Sequence, residues 1–169
     1  ADRADLAPGP PLAETLKTQR VSHVTLTPSV ISALGDIELP DLSVLVAAGA
    51  SLGEDLVARW APGRRMINAY GPCEATICST MGDCNTHIES PDIGRPIAGA
   101  IAMVMDSRGG PVIPGTAGEL WIGGAGVGLG YLGAAEQTAK SFVKAPPGSR
   151  AEDEVIYRSG DIVRMMGNG

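Results

Sequence analysis

Residues 42–68 read LSVLVAAGASLGEDLVARWAPGRRMIN. Leu42 to Ala48 form a short, continuous apolar run, which is typical of a strand buried on both faces of a parallel sheet. Ser51 and Glu54 have the spacing of a capping box and predict the start of a helix. Met66 to Asn68 then predict a second strand. Strand, helix and strand in this order favour a right-handed parallel α/β unit.

The residues before this stretch extend the same alternation. Leu12 to Arg20 predict a helix, because their apolar side chains recur with helical spacing. His23 to Leu26 predict a strand. Thr27 followed by Pro28 predicts the N-cap and first turn of a second helix. The first half of the chain is therefore predicted to be a parallel α/β sheet with helices.

After about residue 91 the pattern changes to short β segments punctuated by glycine and proline. The predicted strands are Ile101–Met105, Glu119–Ile122 and Val155–Tyr157. One short helix is predicted over Ala134–Phe142. This pattern favours a small antiparallel sheet or barrel. We therefore predict an α/β part over residues 1–90, a β-rich part over residues 91–169, and a boundary near Ile88 to Asp92.

The composition excludes several classes of function. The net charge is −6 and there is no basic block, which argues against a nucleic-acid or membrane-surface partner. No apolar run reaches the ~18 residues of a membrane span. Aromatic residues make up only 4% of the chain, so the core is expected to be aliphatic.

The three cysteines, Cys73, Cys78 and Cys84, do not form a metal-binding pattern. Their number is odd and no CxxC occurs, and the other soft ligands are His23 and His87 alone. This argues against a zinc site. Cysteines without a pairing pattern predict a reducing, cytoplasmic compartment.

The segment NAYGPCE, residues 68–74, places three useful groups beside a predicted strand end. In open α/β sheets ligands bind at the carboxyl ends of the strands. The amide of Asn68 can read an adenine edge, the ring of Tyr70 can stack on it, and the carboxylate of Glu74 can hold Mg²⁺ near phosphates. An ordinary Gly-Pro turn with a surface carboxylate accounts for the same residues, and the local pattern alone favours that simpler interpretation.

Two further features have similarly open interpretations. The run GGAGVGLG, residues 123–130, has neither the GxGxxG nor the GxxxxGK[ST] spacing, so a tight bend with closely approaching backbones is favoured over a phosphate loop. Asp161 follows Gly160 and is either a turn residue or an acceptor for ribose hydroxyls. Neither histidine has a plausible catalytic nucleophile beside it in the sequence, so no hydrolase triad is indicated.

Several segments together resemble one family. Residues 68–74 resemble its NxYGPTE motif, residues 118–132 its GELxIxGxGxARGYL motif, and residues 157–161 its Y(R/K)TGD motif. Residues 93–97, IGRPI, also resemble a family segment. From about Val21 onward, order and spacing are similar to the adenylation domains of nonribosomal peptide synthetases, which belong to the adenylate-forming enzymes.

This resemblance implies an activity. The family forms an aminoacyl-adenylate from an amino acid and Mg·ATP with release of pyrophosphate, and then passes the acyl group to the phosphopantetheine of a carrier protein domain. By position, Glu74 would ligate Mg²⁺, Tyr70 would stack on adenine in the turn made by Gly71, and Asn68 would bond the adenine edge. The other implied nucleotide contacts are Gly49, Ala50 and Ser51, with Asp161 on the ribose.

Two positions depart from the family pattern. Cys73 stands where the family has a catalytic threonine whose hydroxyl reaches a phosphate oxygen, and a thiol is a weaker donor. Leu129 stands where the glycine-rich motif usually has arginine.

The same alignment implies an amino-acid pocket without a charged residue. Its lining would be Thr25, Val46, Ala48, Ala69, Ile77 and Cys78. Small residues leave a roomy apolar slot, and the set resembles that of phenylalanine-activating domains. We predict a large apolar, aromatic substrate. The alternative is that several of these residues simply pack the sheet.

Other family parts are absent from these 169 residues. They are the upstream phosphate loop, the upstream aspartate for the substrate amino group, and the downstream lobe with its catalytic lysine. The resemblance thus predicts an internal fragment that needs the remaining parts of the adenylation domain and does not adenylate alone. The competing hypotheses are an acyl- or aryl-acid-activating ligase and a non-catalytic ligand-binding or scaffold module.

Overall fold

The computed structural model describes residues 2–84, 91–149, 151 and 154–167. The chain divides into two compact units. The first comprises residues 1–70 and 82–93, and the second comprises residues 71–81 and 94–169. His87 and Ile88 lie outside the described residues. The predicted division after residue 90 stays a prediction.

The first unit is a parallel sheet with helices. The helices are α1 (Pro10–Thr18), α2 (Pro28–Ala33) and α3 (Glu54–Trp60), and the strands are β1 (His23–Leu26), β2 (Val44–Ala48) and β3 (Arg65–Tyr70). The three strands are adjacent in this order and parallel. The predicted parallel α/β sheet is therefore confirmed.

The core of the first unit lies between the helices and one face of this sheet. Leu45, Ala47 and Met66 point to that face and are at most 1% exposed. The helices contribute aliphatic side chains and one indole, namely Leu12, Leu16, Ile31, Leu34, Leu56, Val57 and Trp60. Burial of such side chains, each worth about 1.5–3 kcal/mol, stabilises the unit.

N-caps were predicted for two helices, α2 and α3. The Thr27 side chain accepts a hydrogen bond from the backbone N–H of Val30 at 3.4 Å, so the cap of α2 is confirmed. The capping box at Ser51 is wrong, because α3 begins three residues later and Gly53 is its N-cap. Leu52, which precedes this N-cap, is buried.

The second unit contains a four-stranded antiparallel sheet in the order β6-β7-β9-β8. Its strands are β6 (Ala100–Met105), β7 (Ala117–Gly124), β8 (Phe142–Lys144) and β9 (Val155–Arg164), with helix α4 (Ala135–Ser141) before β8. The predicted antiparallel sheet is confirmed. Strand β9 is longer than predicted, since it continues through Gly160 and Asp161 instead of ending at Tyr157.

Three short strands were not predicted, one of which is β8. Strand β4 (Thr80–Cys84) runs from the second unit into the first, and its first two residues pair antiparallel with β5 (Arg95–Pro96). Among the described residues no helix has both the length and the apolar character needed to span a bilayer.

Candidate functional site

The loop after β2 lies at the edge of the parallel sheet where β3 also ends. Ala48 is the register partner of Ala69, so the chain from Gly49 onward leaves the sheet beside Tyr70. Gly49 has a φ of +90°, a left-handed conformation that suits glycine. Gly49, Ala50 and Ser51 are all exposed, which leaves their backbone groups accessible at this edge.

Asn68 is the most buried of the predicted nucleotide contacts. Its side chain is 6% exposed, and Nδ2 donates a hydrogen bond to the backbone oxygen of Asp92 at 2.7 Å. This bond fixes the amide orientation at the end of β3, while Tyr70 is half-buried. The predicted contact of Asn68 with an adenine edge stays a prediction.

Four of the six predicted pocket residues share one face of the parallel sheet. Thr25 is the register partner of Val46, and Ala48 is the partner of Ala69. Because side chains alternate along a strand, Val46 and Ala48 point to the same side, opposite the core-facing Leu45. The sheet therefore brings these four uncharged side chains together on the face away from the helices.

The other two predicted pocket residues, Ile77 and Cys78, belong to the second unit. Ile77 is 77% exposed and has a φ of +70°. Cys78 is half-buried and lines a pocket of about 260 Å³ together with Ala75 and Gly126. Burial raises the pKa of the Cys78 thiol, so this side chain is a neutral group at pH 7. That Ile77 and Cys78 complete the pocket stays a prediction.

Gly71 opens the turn that carries Glu74, and it is closely packed. A Cβ atom at this position would lie 2.7 Å from Cys78 Cα, from the carbonyl oxygen of Ile77 and from the backbone nitrogen of Ser79. All three are backbone atoms and cannot rotate away. A glycine is therefore required where the turn folds back on residues 77–79.

Replacing Gly71 with alanine is expected to destabilise the protein by about 1–3 kcal/mol, because the added methyl overpacks against backbone. The free energy of unfolding is measured by chemical denaturation. The matched control is Gly167→Ala, since a Cβ at Gly167 meets nothing within 4 Å. Equal free energies of unfolding for the two variants would show that the turn is not packed as described.

After Gly71 and Pro72 the chain forms a 3₁₀ turn over Cys73–Ala75. Cys73 is exposed there, and all three cysteines of the chain are free thiols. The carboxylate of Glu74 accepts a hydrogen bond from the hydroxyl of Tyr131, with 2.6 Å between Tyr131 Oη and Glu74 Oε1. This hydrogen bond lowers the pKa of Glu74 below its ordinary value, so the side chain is an anion at neutral pH.

The glycine run after β7 is the partner of this turn. The backbone N–H of Gly128 donates to the carbonyl oxygen of Glu74 at 2.7 Å, and Thr76 Oγ1 donates to the carbonyl oxygen of Gly126 at 2.7 Å. A Cβ on Gly126 would lie 3.1 Å from the carbonyl oxygen of Ala75. Close approach of two backbones explains these glycines, as the sequence spacing predicted.

Asp161, the predicted ribose contact, is an exposed residue of β9. Its backbone N–H donates to Ser159 Oγ at 3.1 Å, which shapes the strand at Gly160. Asp161 therefore lies in a strand and not in a turn.

Tyr131 and Tyr157 were not predicted as site residues from the sequence. Both lie within the motifs at residues 118–132 and 157–161, but neither was assigned a role in the site. The chain has only three tyrosines and one phenylalanine in 169 residues, and two of the tyrosines lie inside these motifs. That placement could have indicated that they belong to the site.

Glu74 suits a cation that is shared with a phosphate ligand. Within the residues that the structure describes, no group of three or more His, Cys, Asp or Glu side chains is arranged to hold a metal ion. Mg²⁺ usually takes one or two carboxylates together with water and substrate phosphates. A single ionised carboxylate on the turn over Cys73–Ala75 fits this requirement.

Comparisons with known proteins identify the family of the chain. Residues 2–132 match the family of AMP-binding enzymes. A linear gramicidin synthase from Brevibacillus parabrevis is 47% identical over 168 residues, which cover 99% of this chain and 3% of that protein. Novobiocin biosynthesis protein H of Streptomyces niveus is 42% identical over 165 residues, which cover 98% of this chain and 27% of that protein.

A solved structure of an adenylation-domain protein has a similar fold. The structure of PA1221, described as a nonribosomal peptide synthetase protein containing adenylation and PCP domains, superposes with a TM-score of 0.87 at 30% identity, covering 98% of this chain and 36% of that one. The chain thus spans only a small part of the proteins that it matches. It belongs to the AMP-binding enzyme family, as a relative of nonribosomal peptide synthetase adenylation domains.

Proposed function

We propose that the chain forms the nucleotide- and substrate-binding part of an adenylation domain. In this proposal the domain activates an amino acid with ATP, releases pyrophosphate, and transfers the acyl group to the phosphopantetheine of a carrier protein domain. The observation that carries the proposal is the Glu74 carboxylate, which is held as an anion by Tyr131 on the turn that follows a parallel strand.

The proposed roles of the residues are those that the resemblance of the motifs implies. Tyr70 stacks on the adenine, Asn68 bonds its edge, and the exposed backbone from Gly49 to Ser51 lines the nucleotide. Asp161 holds the ribose hydroxyls. Glu74 would hold Mg²⁺, and the ion would supply positive charge that offsets the charge of the α-phosphate. Cys73 offers that phosphate only a thiol. Catalysis is by positioning and charge stabilisation, without a covalent intermediate on a side chain.

The proposed substrate is a large apolar amino acid, of which phenylalanine is the first candidate. Thr25, Val46, Ala48 and Ala69 line one side of its pocket because they share a sheet face and carry no charge. A pocket without a charged group has nothing to pair with an acidic or basic side chain, whose burial would then be costly.

The proposed partners are a carrier protein domain and the remaining parts of the adenylation domain. In support, PA1221 is described as containing both adenylation and PCP domains, and a second structure of it as a holo form bound to a vinylsulfonamide inhibitor.

Exchange of radiolabelled pyrophosphate into ATP, in the full polypeptide that carries this chain, tests the proposal. The expected result is exchange that requires both Mg²⁺ and an amino acid, with phenylalanine among the best substrates. Exchange driven by aryl or acyl acids but not by amino acids would favour the ligase alternative. No exchange, together with no calorimetric binding of Mg·ATP, would favour a non-catalytic module.

A further inference from the structure

Few aromatic residues occur in this chain, and three of them converge near Glu74. The chain has three tyrosines and one phenylalanine. Tyr131 and Tyr157 interact with Glu74, and Phe142 packs against both tyrosine rings. Only Tyr157 is buried, at 7% exposed, whereas Tyr131 and Phe142 are half-buried, so filling the core does not account for all three.

The hydroxyls of both tyrosines act on the carboxylate of Glu74. Tyr131 donates to Oε1 at 2.6 Å, and the nearby Tyr157 hydroxyl lowers the pKa of Glu74 further. Burial of Tyr157, together with its hydrogen bond to Tyr131 and the nearby charge of Glu74, raises the pKa of its phenol. The Tyr157 phenol is thus a neutral O–H donor. An ionised carboxylate has about four acceptor sites, so the hydrogen bond from Tyr131 leaves room for a cation.

The backbone of Tyr131 is held by hydrogen bonds to a side chain of helix α4. Its N–H donates to Thr138 Oγ1 at 2.9 Å, and the Thr138 hydroxyl lies 3.4 Å from the carbonyl oxygen of Tyr131. The preceding Gly130 has a φ of +130°, and a side chain there would collide with Thr138. The other side of the pair is fixed too, since Gly128 holds the Glu74 carbonyl oxygen.

The two tyrosine rings are held independently of their hydroxyls. The ring centroid of Phe142 lies 5.4 Å from that of Tyr131 in an edge-to-face arrangement and 5.1 Å from that of Tyr157 in a tilted one. Such pairs are favourable by ring packing alone. Deleting one hydroxyl therefore removes a hydrogen-bond donor while leaving the packing in place.

We propose that Tyr131 is a positioning residue for Glu74, and that its hydroxyl holds the carboxylate in the orientation that binds a divalent cation. Tyr157 supports this arrangement through its interactions with Tyr131 and Glu74, and Phe142 and Thr138 fix the donor geometry. The inference rests on the proposed function, because it assigns Tyr131 to the cation role of Glu74. A preset carboxylate loses less conformational freedom when the cation binds.

The test is Tyr131→Phe in the full polypeptide that carries this chain. Affinity for Mn²⁺ is measured by electron paramagnetic resonance with a non-hydrolysable ATP analogue bound. The Mg²⁺ concentration for half-maximal exchange is measured in parallel. We expect a roughly tenfold rise in the dissociation constant for Mn²⁺ and in the half-maximal Mg²⁺ concentration. Loss of a group that orients a metal ligand typically weakens metal binding by at least about this factor. The maximal rate at saturating Mg²⁺ is expected to change much less.

Two further variants separate positioning from a general structural role. Tyr157→Phe is expected to shift the same two quantities in the same direction by a smaller factor. Thr18→Val removes an exposed hydroxyl at the end of α1, where Thr18 Oγ1 donates to the Glu14 carbonyl oxygen at 2.8 Å, and it is expected to leave Mn²⁺ affinity unchanged.

The outcomes discriminate between the positioning role and the proposed function. An active parent protein whose Tyr131→Phe variant keeps its Mn²⁺ affinity would overturn the inference and leave the proposed function intact. So would a variant that fails to fold, or that loses rate in equal proportion at every Mg²⁺ concentration. A parent protein without Mg²⁺-dependent exchange or nucleotide binding would instead remove the proposed function.

Discussion

Replacing Glu74 with glutamine is expected to lower the rate of amino-acid-dependent pyrophosphate exchange roughly 10²–10³-fold, the range for losing one group that stabilises developing charge. Glutamine keeps the size of the side chain and still accepts a hydrogen bond from Tyr131, so the turn is expected to fold normally. What is lost is the negative charge that the Tyr131 hydroxyl stabilises. The exchange rate is measured over a range of Mg²⁺ concentrations.

The matched control for this change is Glu136→Gln. Glu136 is exposed on α4 and pairs with Lys140 at 3.1 Å, so its carboxylate belongs to a surface ion pair of small energetic value. This control is expected to retain the exchange rate of the parent protein. If Glu74→Gln and Glu136→Gln behaved alike, Glu74 would have no special part in the chemistry.

The second large effect is expected for Ala48→Trp. Ala48 lies on the sheet face shared with Thr25, Val46 and Ala69, and it is half-buried. An indole on that face would fill the space that an aromatic substrate needs. We expect kcat/KM for phenylalanine to fall at least about 100-fold, since pocket shape discriminates substrates on this scale. Initial rates of exchange across a phenylalanine concentration series give this value.

Ala58→Trp provides the control for the bulk of the new side chain. Ala58 is exposed on α3, away from the predicted pocket, and the variant is expected to activate phenylalanine normally. Calorimetric binding of Mg·ATP is expected to be unchanged in both variants. If Ala48→Trp still adenylated phenylalanine at the parent rate, the assignment of the pocket to this sheet face would be wrong.

The sequence was most informative where a pattern repeats along an element. The apolar run at residues 42–48 and the Thr27-Pro28 start of α2 each predicted a strand or helix that is present. The change to glycine-punctuated β segments after residue 91 predicted the antiparallel sheet. These features depend on local periodicity and local hydrogen bonds, which a sequence records directly.

Elements that depend on distant partners were not predicted. Strands β4, β5 and β8 have two to five residues each, and β5 is a Pro-containing pair stabilised by Thr80 and Met81. The residues at Ser51 and Glu54 had the spacing of a capping box, but α3 begins at Glu54 with Gly53 as its N-cap and with Leu52 buried before it.

The sequence predicted which residues form the candidate site, but not which residues hold them in place. Glu74 was selected from its motif, whereas the hydroxyl that holds it comes from Tyr131, which is 57 residues away in the sequence. No local pattern encodes that pairing. The glycine run at residues 123–130 predicted that two backbone segments approach closely there. It did not predict that the second segment is the turn at Glu74.

The most direct test of the central claim is the position of a divalent cation relative to Glu74. A crystal structure of the full polypeptide with a non-hydrolysable ATP analogue and Mn²⁺, recorded for anomalous scattering, locates that ion. We predict a Mn²⁺ peak about 2.0–2.2 Å from a Glu74 carboxylate oxygen and in contact with the phosphates of the nucleotide. A nucleotide-bound Mn²⁺ that lies away from Glu74 would contradict the account.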